Sequence, residues 1–69
     1  MTEFKLESRE FIELNDLLKI TGLFDSGGMA KIAIAEGRVR VDGEVELRRR
    51  RKVRAGQRVE CGGKEIVVK

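Results

Sequence analysis

The spacing of the apolar residues changes at Gly37 and does not change back. Upstream, Phe11, Leu14, Leu17 and Leu18 recur at helical intervals, with Glu13, Asn15, Asp16 and Lys19 turned outward. Ser8 is a candidate cap for this first helix, and Gly22 ends it in the manner of a left-handed terminal glycine. Asp25 and Ser26 are cap candidates for a second helix over 29–36, where Ala30, Ala33 and Ile34 make one apolar stripe. Downstream of Gly37 the period is two. Arg38-Val39-Arg40-Val41 sets two valines against two arginines, and Asp42-Gly43 is a two-residue hairpin signal. Glu44-Val45-Glu46-Leu47 continues the alternation on the return strand, with Glu44 and Glu46 read as exposed. Ala55-Gly56-Gln57 and Gly62-Gly63 are further turns. Val59 and Cys61 alternate with Arg58 and Glu60, and Glu65–Val68 is the last strand. A short strand carrying Phe4 and Leu6 comes first. Helices grouped ahead of strands in a chain this short predict one α+β domain over residues 1–69.

A domain of this size buries only roughly 60% of the surface its unfolded chain exposes, which leaves little room for an enclosed active site. The residues point the same way. There is no histidine, the single cysteine has no evident base, and the carboxylates are scattered over solvent faces, so nucleophilic and acid–base catalysis lack their parts. Neither glycine pair has the spacing of a phosphate-binding loop. One cysteine without histidine leaves no zinc-ligand set and no internal disulfide. Cys61 reads as a small buried hydrophobe at a strand end. The segment MTEFKLESRE is not a secretory signal, and nothing approaches the ~20 apolar residues of a membrane span. The expectation is a cytoplasmic, non-enzymatic protein with no cofactor, no metal and no membrane partner.

The charge is segregated. Residues 1–37 hold four bases against seven acids, a balance of −3, whereas residues 38–58 hold nine bases against three acids, or +6. The centre of the basic half is Leu47-Arg48-Arg49-Arg50-Arg51-Lys52-Val53. As an extended segment it would carry charge on both faces, so it must be an exposed edge or loop between two apolar anchors. Such a run can serve only to blunt a sheet edge. Eight of the nine bases in this half are arginine, however, and a guanidinium binds phosphate bidentately and stacks on bases. The pattern favours a polyanion. With no basic stripe on a helix and only three phenylalanines as aromatics, neither a major-groove helix nor a base-stacking platform is expected. Backbone and shape readout of structured RNA remains.

The order of residues over about 13–61 resembles the S-four RNA-binding domain, or αL motif, named after ribosomal small-subunit protein four. The matching positions are Leu14, Leu17 and Leu18, then Gly22-Leu23, Ser26, Ala30-Lys31, Ile34, Gly37, Val39-Arg40-Val41-Asp42-Gly43, Val53 and Gly56. IAIAEGRVRVDGEV is the most specific stretch. The strand before the first helix, the closing glycine hairpin and the length are similar to the small bacterial YbcJ-type family. The resemblance implies a two-helix αL motif packed on a small sheet of short, mostly antiparallel strands. It also implies an RNA surface on the second helix and the strand and loop that follow. Lys31 matches a common basic position of that helix. Glu13 and Gly27 stand where the family often has basic residues, so those two contacts are not carried over.

The expected function is therefore non-catalytic binding of structured RNA, ribosomal or transfer. The candidate contacts are Lys31, Arg38, Arg40, Arg48, Arg49, Arg50, Arg51 and Lys52, with Arg54 as an addition. Glu44 and Glu46 beside them would trim unspecific binding. A monomer is expected, with a ribosomal or RNA-modifying protein as a second kind of partner. The alternative is a protein-interaction module that docks on an acidic partner or a ribosomal assembly.

Overall fold

Each change of apolar period becomes a change of element. The computed structural model describes residues 2–69. In chain order the elements are β1 (Thr2–Phe4), β2 (Ile12–Glu13), α1 (Leu14–Ile20), α2 (Gly27–Ala35), β3 (Val39–Val41), β4 (Glu44–Val45), β5 (Lys52–Val53), β6 (Arg58–Cys61) and β7 (Lys64–Val68). Five strands form one sheet in the order β1-β7-β6-β3-β4, antiparallel except for the β1–β7 pair. Strands β2 and β5 form a separate antiparallel ladder. One core joins Leu14, Leu17, Leu18, Ala30, Ala33 and Ile34 of the helices to Val39, Val41, Val59, Ile66 and Val68 of the sheet. Leu6, Ile12 and Val53 complete it, and Cys61 packs against it partly buried at the end of β6. This is the α+β arrangement of two helices on short, mostly antiparallel strands that the sequence predicts.

Helix α1 starts later than its apolar spacing implies. Phe11 lies outside it, Ile12 and Glu13 pair with β5, and Glu13 rather than Ser8 is the N-cap residue, with no capping side chain. The acceptors for its first amides come from elsewhere in the chain, as described below. Helix α2 begins two residues earlier than predicted, at Gly27, because the Ser26 hydroxyl accepts from the Met29 N–H at 3.3 Å. Its glycines sit in the first turn, where their cost is small.

The hairpin corrects a second expectation. Asp42 and Gly43 both have positive φ, 52° and 84°, the backbone of a type I′ turn. The Asp42 carboxylate accepts from the Arg58 N–H at 3.0 Å and the Gln57 amide at 3.1 Å, tying the turn to β6 and holding its own pKa below the ordinary value. A two-residue loop sets Val41 opposite Glu44 and Arg40 opposite Val45. Val45 and Leu47 are thereby turned outward with Arg40, 51% and 61% exposed, while Glu46 turns inward and is 9% exposed. Val45, Glu46 and Leu47 thus take the faces opposite to those expected, whereas Glu44 is exposed as expected.

Gly37 ends α2 at φ +77°. A Cβ there would meet Val45 Cγ1 at 3.7 Å and Leu47 Cδ2 at 3.9 Å, ordinary contacts, so substitution costs backbone strain rather than a clash. Gly37→Ala should lower stability by about 1–2 kcal/mol, read as a lower urea midpoint with unchanged m-value.

Candidate nucleic-acid interface

The arginine run is not a strand. Arg48–Arg51 form a turn closed by the Arg51 N–H to the Arg48 carbonyl oxygen at 3.2 Å, with Arg49 and Arg50 at its tip. The turn is fastened from two sides. At the start of α1, the Leu14 N–H donates to the Arg51 carbonyl oxygen at 2.9 Å and the Asn15 N–H to the Arg49 carbonyl oxygen at 3.0 Å. These are two of the orphan amides that every helix start must satisfy. The basic loop thus caps a helix that follows Glu13 in the chain, and Lys52 and Val53 then pair with Glu13 and Ile12.

The second fastening is Glu46. One carboxylate oxygen accepts from the Arg48 backbone N–H at 3.0 Å and from its Nε at 3.1 Å. The other accepts from Arg48 Nη2 at 3.3 Å and Arg51 Nη1 at 3.1 Å. The Arg48 side-chain hydrogen bonds hold the Glu46 pKa down to about 2, against the opposing effect of burial, and Arg51 adds to this. Arg48 is raised in turn. The two ends of the turn share one carboxylate, and the tip has none. Among the described residues Arg49, Arg50, Lys52 and Arg54 form no ion pair. Six cations, Arg48–Lys52 and Arg54, line one open concavity.

The remaining candidates are placed apart from it. Arg40 on the outward face of β3 and Arg38 just before the strand are exposed, as predicted, but line a second concavity with Lys64, Glu60 and Glu65. Arg38 is also paired with Glu36 at 3.1 Å. Lys31 is exposed on α2 and lines neither concavity. The structure therefore gathers six of the nine sequence candidates and separates three.

Two further residues belong to the site. The strand alternation predicts an exposed Glu46, and its inward position follows from counting residues around the Asp42-Gly43 turn. The apolar spacing predicts Phe11 as part of a helix stripe. Its ring instead lies 5.0 Å from Lys52 Nζ and 5.8 Å from Arg54 Cζ, and no local signal places it there.

A two-helix unit whose first turn is capped by a cationic loop, set on a small sheet, defines a class. Residues 4–69 match the model of the S4 domain, and the chain belongs to that family. It is 52% identical over 68 residues to the "Putative RNA-binding protein YbcJ" of Escherichia coli (strain K12), covering 99% of this chain and 97% of that protein. It is 43% identical over 54 residues to the "Probable ribosome maturation protein RlbA" of Bacillus subtilis (strain 168), covering 78% of this chain and 76% of that one. The solution structure of E. coli YbcJ, described as revealing an αL motif involved in RNA-binding, superimposes with a TM-score of 0.77 at 51% identity. That match covers 99% of this chain and 86% of the other. The αL fold is thus shared with a solved structure. No helix among the described residues is long and apolar enough to cross a membrane.

Proposed function

We propose that the chain is a non-catalytic RNA-binding protein, acting as one unit on structured RNA, ribosomal or transfer, in the cytoplasm. The observation that carries this reading is the concavity of six cations, four of them without a carboxylate partner, held in place by Glu46 and by the backbone of α1. A solubilising charge run has no need of such fixing. The backbone that carries the four free cations is already fixed, so only their side chains have to be ordered when they take phosphate oxygens. The RNA-binding and ribosome-maturation names of the relatives support the same reading. Arg38, Arg40 and Lys31 act as outlying contacts on adjoining faces. The sheet is bounded by strands of three and two residues, which offers little ladder to a second copy and favours a monomer.

Fluorescence anisotropy of a labelled ribosomal RNA hairpin and a tRNA over a salt series tests this. The four unpaired cations of the concavity predict a slope of log K against log salt of at least about −2.8 to −3.6, at ~0.7–0.9 per phosphate contact, and each outlying contact steepens it. Absence of binding at about 50 mM salt, or a slope near zero, would sink the proposal and turn the search to protein partners.

A further inference from the structure

Phe11 is the aromatic side chain beside the six-cation concavity, and its placement is set by pairing. Ile12 and Val53 are opposite each other in the β2–β5 ladder and point into the core at 3% and 0% exposure. Their neighbours along each strand therefore point the other way. Phe11, Glu13, Lys52 and Arg54 share that outward face, and the two cations lie over the ring, 5.0 and 5.8 Å from its centroid. Lys52 and Arg54 also line the cationic concavity. Phe11 is half-buried, so part of the ring stays open to solvent.

We infer that Phe11 is a base-stacking site at the edge of the phosphate-binding concavity. The RNA taken by this chain then carries an unpaired nucleotide next to the phosphates held by Arg49, Arg50, Lys52 and Arg54. This deepens the RNA-binding reading above and rests on it. A phosphate that draws Lys52 and Arg54 off the ring brings its own base within one sugar of the face they leave. In a continuous duplex that base is hidden in the stack and cannot reach Phe11. At a bulge, a loop or a helix end it can, and unpaired bases stack on aromatic rings and on guanidinium planes. Shape readout of the helix and capture of one extruded base would then act together, the first through charge and the second through an apolar face.

The test uses two labelled RNA hairpins that differ by a single bulged adenosine, titrated with wild type, Phe11→Leu and Phe11→Trp. Wild type should prefer the bulged hairpin by about tenfold. Phe11→Leu keeps apolar bulk without the aromatic face. It should bring the two hairpins to near parity while leaving both salt slopes unchanged, because stacking displaces no counterions. Phe11→Trp should widen the preference. Equal wild-type affinity for the two hairpins overturns the inference but leaves the RNA-binding reading intact. So does a preference that survives in Phe11→Leu. Failure of the wild type to bind either hairpin overturns both. Should Phe11→Leu not fold by circular dichroism, the tryptophan variant decides, and a preference it leaves unchanged or lowers counts against the stacking site.

Discussion

Changing Arg49, Arg50, Lys52 and Arg54 together to glutamine should lower affinity for structured RNA by about three orders of magnitude at ~50 mM salt and make the slope of log K against log salt shallower by about 2.8–3.6. The four positions are chosen by structure. They are the cations of the concavity that no carboxylate holds, so each is available to replace a counterion on a phosphate. Arg48 and Arg51 are left in place because they are bonded to Glu46, and their loss would undo the loop itself. The fold should survive the change. The cation–π contacts of Lys52 and Arg54 with Phe11 would be lost, a cost of about 0.5–1 kcal/mol each at exposed sites, against relief of repulsion in the run. Anisotropy over a salt series, with circular dichroism as a check of folding, reads both. A well-folded variant that retains wild-type slope would show that RNA binds elsewhere, with the outward face of β3 as the next place to look.

Glu46→Gln should cost about 2–3 kcal/mol of stability at pH 7, and the deficit should vanish in acid. The Glu46 carboxyl is held at about 2 in the folded chain, below its ordinary value of 4.5. A depressed carboxylate contributes stability that is fully present above its unfolded pKa. It is lost as pH falls through the folded one, here between about 4.5 and about 2. The glutamine variant lacks this titration, so its urea midpoint should lie below that of wild type at pH 7 and converge with it near pH 2. The lowered pKa values of Glu3 and Asp42 act in both proteins and cancel in the difference. A gap that stays constant from pH 7 to pH 2 would mean that shape, not charge, is what Glu46 supplies.

What the sequence discloses and what it hides divide along the range of the interactions. The shift of period at Gly37, the Ser26 cap, the turn at Asp42-Gly43 and the inward valines Val39 and Val41 are local, and each appears where expected. The register of the return strand was also within reach. A two-residue turn places Val45 opposite Arg40 whatever its hydropathy, and this outweighs the pull of Val45 and Leu47 toward the core. The start of α1 was not within reach, because its amides are capped by carbonyls of Arg49 and Arg51, more than thirty residues on. The basic run announced a charged surface. Which of its members stay unpaired depends on Glu46, and the burial of Glu46 depends on the hairpin register. Phe11 joins the site only through the pairing of β2 with β5.

The capping of α1 by the basic loop has a consequence for exchange with solvent. The Leu14 and Asn15 amide protons lie in the first turn of a helix whose side chains Leu14, Leu17 and Leu18 are wholly buried, yet their acceptors belong to a loop on the surface. A brief lifting of the Arg48–Arg51 turn bares those two protons to deuterium while the rest of the helix stays closed. Their protection factors therefore measure the opening of the loop and not the unfolding of the domain. Any ligand that settles on the guanidinium groups will slow exchange at two amides it does not touch.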